Sequence, residues 1–244
     1  NISAFIWHGS EEIRMTINNG DLLNSILESL DRIQHIDPED IPNIDLYMDQ
    51  VTTFMDTKLR PASRFPDEDK ILTKTMINNY AKNDLLPPPV KKKYSKEHVL
   101  LLIFIYYYKG ILSINDIQTL LTPITEQYFR TGGDFNLEKI YREVFSMEKA
   151  EIETLKEDVI RKYHAAEQTF QNAPAENADF LRKFSFICAL SYDVYMKKLM
   201  IEKIVDELAQ ERAARNTAAK ADGNKKKNYK GEKPEKGVVE NEGF

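Results

Sequence analysis

Residues that could carry chemistry are few and scattered in this 244-residue sequence. The four histidines, His8, His35, His98 and His164, lie far apart. None has a second histidine or cysteine at the i+4 spacing that lets two such side chains on one helix face grip a metal. His164 with Glu167 reads as a helix-surface pair. Cys188 is the single cysteine, so neither a disulfide framework nor a multi-cysteine zinc site is open to the chain. Set among Phe184, Phe186, Ile187 and Leu190, it is expected to be a small buried hydrophobe. Gly132-Gly133-Asp134 lacks the rest of a phosphate-cradling loop, and Asp67-Glu68-Asp69 reads as solvated charge in a proline-flanked loop. With no nucleophile motif, Gly-rich loop or metal spacing, no enzyme, cofactor or metal is expected.

What remains is the chemistry of polyanion binding. Lys91, Lys92 and Lys93 are consecutive, and Lys74, Thr75, Asn78, Asn79 and Lys82 recur at helical spacing just before them. Asn amides can read adenine edges bidentately, Thr can contact bases or phosphate, and lysines neutralise phosphates. The whole sequence has 34 basic and 39 acidic residues and a net charge of −5. Between Lys58 and Lys109, however, 11 basic residues face 5 acidic ones, a local +6. A basic segment in an acidic chain marks where an anionic partner would sit.

The elements that must position these residues are helical. Residues 21–35 place Leu22, Leu23, Ile26, Leu27, Leu30 and Ile33 on one face, with Asp21 as the expected N-cap. A second helix is expected from Asn43 to Thr57, with Ile44, Tyr47, Met48, Val51, Phe54 and Met55 inward. A third runs from Thr73 to Asn83, capped by Thr73, with Met76, Ile77 and Tyr80 inward. Pro87-Pro88-Pro89 excludes helix or central strand, so 85–94 is expected to be extended or a short edge hairpin. Ser95 begins an imperfect capping box ahead of Val99-Leu-Leu-Leu-Ile-Phe-Ile-Tyr-Tyr-Tyr108, a run of about 15 Å, half of what a membrane requires. A buried helix over 96–109 is therefore expected, with one or two of Tyr106, Tyr107 and Tyr108 in the core. Ser113 opens a further helix, which Pro123 is expected to follow.

From Met147 to Phe170, Ile152, Leu155, Val159, Tyr163 and Phe170 form a stripe on a charged helix. Asn172 to Pro174 interrupts it, and a second long helix is expected from Ala178 to Arg212, giving an antiparallel hairpin. The polar, Lys-rich tail from about Asn216 is expected to be disordered.

One stretch carries a more specific pattern. Ile77 and Tyr80, then Leu85-Leu86-Pro87, then Tyr94-Ser95-Lys96-Glu97, then Gly110, Ser113, Ile117, Leu120 and Leu121 stand in an order that resembles the DNA-binding domain of MerR-type regulators. The resemblance covers roughly residues 43–121, about a third of the chain. It implies a winged helix-turn-helix with a recognition helix over 73–83 and a wing bearing Lys91, Lys92 and Lys93, with Tyr94 among the DNA contacts. Where it leads one to expect arginines, the sequence has Thr75 and Asn78, so base reading would fall to amides and a hydroxyl. Across its whole length the sequence looks closer still to an uncharacterised family of Gram-positive bacteria, a domain of unknown function that starts near Ile41-Pro42-Asn43-Ile44-Asp45.

The expected architecture is mainly α. It comprises an N-terminal helical segment (1–40), a MerR-like winged-helix module (41–124), a helical extension (125–213) and a polar tail (214–244). The expected function is DNA binding as a transcriptional regulator, with duplex DNA as partner and a homodimer formed through the 147–170 stripe. A protein-interaction adaptor that keeps the winged-helix shape is the alternative. The single cysteine and absence of a membrane-length apolar run fit a cytoplasmic setting, without membrane contact.

Overall fold

The computed structural model describes residues 19–31 and 36–229. The protein is mainly α: among these residues seven α-helices accompany a single two-stranded sheet. The helices are α1 (Asn19–Asp31), α2 (Met48–Leu59), α3 (Lys74–Lys82), α4 (Lys96–Tyr108), α5 (Ile114–Tyr128), α6 (Leu137–Glu167) and α7 (Ala175–Tyr229). Strands β1 (Leu46–Tyr47) and β2 (Lys93–Tyr94) pair antiparallel, Leu46 opposite Tyr94 and Tyr47 opposite Lys93.

The main core is built around α4. His98 through Ile105 are all buried, on every side of the helix. Such a segment cannot lie on a surface, so α2, α3, α5 and α6 contribute Val51, Met55, Ile77, Ile117, Leu121, Leu137 and Tyr141 to enclose it. Tyr141, Phe104 and Phe145 form an aromatic cluster between α4 and α6, with Tyr107 and Tyr108 packed at its margin. The core therefore runs from Ile36 to Phe145 and takes in the first turns of α6, a wider unit than residues 41–124. Its two ends are tied: the buried Tyr141 hydroxyl donates to the Ile36 carbonyl at 2.7 Å, and Arg142 grips Glu39 with two hydrogen bonds of 2.5 and 2.9 Å.

Several element boundaries differ from expectation. The chain is extended before α2, so Ile44 and Tyr47 are exposed rather than inward. Helix α1 begins at Asn19, ahead of Asp21, and residues 32–35 of that expected helix lie outside the described ones. Pro123 sits inside α5 instead of beyond it. Its ring removes one intrahelical donor. The neighbouring hydroxyls donate to other carbonyls of the helix, Thr122 to Gln118 at 2.5 Å and Thr125 to Thr122 at 2.9 Å.

Helices α6 and α7 form the expected antiparallel hairpin, reversing through 168–174. Beside it, Val159, Tyr163, Ala166 and Phe186 make a smaller core against Leu23, Ile26 and Leu27 of α1. Helix α7 continues to Tyr229, past the expected end near Arg212 and into the segment expected to be disordered. Ala213, Ala214, Ala218, Ala219 and Ala221 explain the continuation, since alanine loses no side-chain entropy in a helix. No helix among the described residues is long and apolar enough to cross a membrane.

The start of α4 depends on a buried histidine. His98 Nδ1 accepts from the Ser95 backbone N–H at 2.9 Å and lies 2.8 Å from Ser95 Oγ, completing a reciprocal capping box. Its ring stands edge-on between Tyr94 and Phe129. Nε2 is sealed from solvent near the carbonyls of Pro87 and Pro88, without reaching hydrogen-bond geometry. Burial, aided by the charge of Arg130, pushes the imidazole from 6.5 down to about 4. The unfolded chain takes up this proton below pH 6.5, whereas the folded one resists until about pH 4. The stabilisation is complete above pH 6.5 and fades as pH falls toward 4, a loss of about 3 kcal/mol. His98→Gln keeps a capping-box partner that does not titrate. Urea denaturation of both chains between pH 7 and 4.5 should show a shallower loss in the variant; parallel curves would contradict the assignment.

Candidate nucleic-acid interface

The interface is built from α3 outward. Thr73 Oγ1 accepts from the Met76 backbone N–H at 3.2 Å and starts the helix where expected. Ile77 and Tyr80 are buried, and Met76 is half-buried against the same core. That fixes the rotation of the helix. Lys74, Thr75, Asn78, Asn79 and Lys82 consequently lie on its exposed side. A helix about 10–12 Å across with its side chains fits a major groove about 12 Å wide.

The end of α3 is held firmly. The backbone N–H groups of Leu85 and Leu86 both donate to the Tyr80 carbonyl, at 2.9 and 3.2 Å, and both side chains are buried. Asp84 takes a left-handed φ of 54° to make that reversal. Gln118 on α5 donates to the Asn83 carbonyl at 3.1 Å. Helix α2 packs against both α3 and the β1–β2 pair, so one element positions the two exposed pieces.

The wing is a tight hairpin. Val90 and Lys93 exchange backbone hydrogen bonds of 3.1 and 2.9 Å, leaving Lys91 and Lys92 as the two turn residues. Their φ angles are 50° and 64°. Two consecutive left-handed residues are what a type I′ turn requires, and Asn-Gly is the pair that fits it without strain. Lysine there costs on the order of 1–2 kcal/mol per residue. Strain of this kind concentrates at functional positions, and here it holds two exposed ammonium groups at the tip. Lys93, one residue on, lies over the Tyr47 ring at 5.1 Å and is half-buried.

The expected residues thus separate into groups. Lys74 forms an ion pair with exposed Asp49 on α2, which partly neutralises it. Lys82, Lys91 and Lys92 have no acidic side chain within ion-pair distance among the described residues. Tyr94 is corrected: it is 3% exposed, packs under β1 and against His98, and has no surface to offer DNA. The alternation of the strand explains this, since Lys93 outward puts Tyr94 inward. Sequence reasoning missed Asp49 and the left-handed turn. The first is brought to α3 by tertiary packing, and the second has no Gly or Asn to announce it.

Elsewhere polar side chains serve local structure. His164 pairs with Glu167 at 3.1 Å on the surface of α6. Asp69 accepts from the Phe65 N–H at 3.0 Å and closes its own loop, and Tyr106 lies beneath the Lys109 ammonium at 4.7 Å. Cys188 is exposed, not buried, because α7 turns its opposite side to α6. Among the described residues no group of three His, Cys, Asp or Glu side chains is placed to hold a metal ion.

A domain of unknown function (DUF1836) matches residues 36–144, nearly the span of the main core. It begins five residues before Ile41 and stops within α6. No curated protein and no solved structure matches the chain.

If Lys91 and Lys92 are strained, relieving the turn should stabilise the fold. Lys91→Asn with Lys92→Gly should raise the free energy of unfolding by about 1 kcal/mol or more. Chemical denaturation gives the answer, and an unchanged or lower stability would show that the turn stores no strain.

Proposed function

We propose that residues 41–124 act as a MerR-like winged helix-turn-helix and that the protein is a DNA-binding transcriptional regulator. In this reading α3 enters the major groove and the Val90–Lys93 hairpin lays Lys91 and Lys92 against phosphates. One observation carries it: the polar side of α3 and the two strained lysines are exposed, and both rest on α2. An adaptor that had given up DNA binding would be expected to cover α3 with the helical extension. Yet Lys74, Thr75, Asn78, Asn79 and Lys82 are all open to solvent.

The contacts divide by role. Lys82, Lys91 and Lys92 supply phosphate attraction, and Lys74 contributes less while Asp49 holds it. Asn78, Asn79 and Thr75 are left to read base edges, as amides suit adenine. Lys93 steadies the hairpin through Tyr47 and is secondary. With no arginine on α3, specificity rests on few strong contacts, and affinity should be dominated by the salt-sensitive part.

The test is a salt titration on duplex DNA. Replacing Lys91 and Lys92 by alanine should weaken binding to all sequences and reduce the slope of log K against log salt by about 2. Replacing Asn78 and Asn79 by alanine should leave the slope and change which sequences are enriched from a genomic fragment pool. A wild-type chain with no salt-dependent DNA binding would end this reading in favour of the adaptor.

A further inference from the structure

Helix α7 changes charge where it leaves the body of the protein. From 202 to 211 the carboxylates of Glu202, Asp206, Glu207 and Glu211 stand against Lys203 alone. From 212 to 229 the sign reverses: Arg212, Arg215, Lys220, Lys225, Lys226 and Lys227 stand against Asp222 alone. The reversal coincides with a loss of packing. Val205 is still buried, whereas every residue from Ala213 to Ala218 is exposed.

The place of exit is set by α5. Arg212 ion-pairs with Glu126 at 2.8 Å, and Ala209, Ala213 and Asn216 share a groove with Gln118 and Thr122. Gln118 is also the residue whose amide donates to the Asn83 carbonyl at the end of α3. One side chain of α5 therefore holds the C-terminal end of α3 and lines the groove along which α7 runs. Past Asn216 the helix continues to Tyr229, about 20 Å further.

The helical register carries the groove-facing row outward. Ala209, Ala213 and Asn216 are spaced by four and three residues, and the same spacing leads on to Lys220 and then Lys227. The row thus passes from alanine to lysine once it has cleared α5. Asp222 and Lys225 fall together on the other side of the helix, three residues apart and opposite in charge.

We propose that residues 216–229 of α7 form a third DNA contact, with the row bearing Lys220 and Lys227 laid along the phosphates of the duplex that α3 engages. The inference rests on the DNA reading and extends it. A polar helix end that packs on nothing draws no stability from an apolar face, so charge is what a partner can recognise there. The excess of lysine selects a polyanion. The exit beside Asn83 makes that polyanion the one at α3. Lys220 and Lys227 are about 10 Å apart along the axis, enough to meet separate phosphates, since each strand carries one per about 3.4 Å.

Salt titrations of the full chain on one duplex, run beside the Lys91→Ala, Lys92→Ala chain, test this. Lys220→Gln with Lys227→Gln should lower the slope of log K against log salt by about 2. Helix content by circular dichroism should not change, because glutamine and lysine have similar helix propensities. Lys220→Arg with Lys227→Arg should keep the wild-type slope, and so should Lys225→Gln. A wild-type slope in the double glutamine chain, with a reduced one in the Lys91, Lys92 chain, would overturn this proposal and leave the DNA reading standing. A loss from Lys225→Gln as large as that per lysine of the row would overturn it too, by showing diffuse charge in place of an aligned contact. A wild-type chain without salt-dependent binding would remove the DNA reading itself and this contact with it.

Discussion

Helix α4 has no polar side to turn outward between His98 and Ile105, and the domain is arranged around that fact. A segment buried all round must be enclosed by other elements, and its first turn must find partners for N–H groups that water cannot reach. The enclosure is made by α2, α3, α5 and the first turns of α6. The capping is made by Ser95 and His98 inside the protein, at the cost of an imidazole held neutral and largely unable to take a proton. Because α3 contributes Ile77 and Tyr80 to this enclosure, its other side is left outward. The candidate interface is therefore a consequence of how α4 is covered.

The same constraint defines the domain. The Tyr141 hydroxyl on the Ile36 carbonyl and the Arg142–Glu39 pair join the two ends of the core, and DUF1836 matches almost that stretch. Outside it, the later turns of α6, the part of α7 around Phe186 and Leu190, and α1 form a second, smaller packing unit. The molecule thus joins a unit that offers polar and basic side chains to one that offers apolar side chains.

Much of this was legible in the sequence. The apolar run 99–108 announced a buried helix, Thr73 announced the start of α3, and the three-and-four spacing of Met76, Ile77 and Tyr80 set its outward residues. Less was legible where local signals were absent or misleading. A two-residue strand such as Leu46–Tyr47 has no period to detect, so Ile44 and Tyr47 were assigned to a helix face. The hairpin turn is occupied by two lysines rather than the usual Asn-Gly, so its left-handed geometry was invisible. Tyr94 was misplaced because strand alternation matters only once the strand is known. Cys188 was misjudged because apolar neighbours in sequence do not guarantee burial on a helix that is apolar all round.

Amide hydrogen exchange on the full chain, with and without duplex DNA at low salt, addresses the central claim most directly. DNA binding through α3 and the hairpin should slow exchange over residues 74–86 and 90–94 and leave 180–199 of α7 as it was. Unchanged exchange across the first two segments, or protection centred on α7 instead, would contradict it.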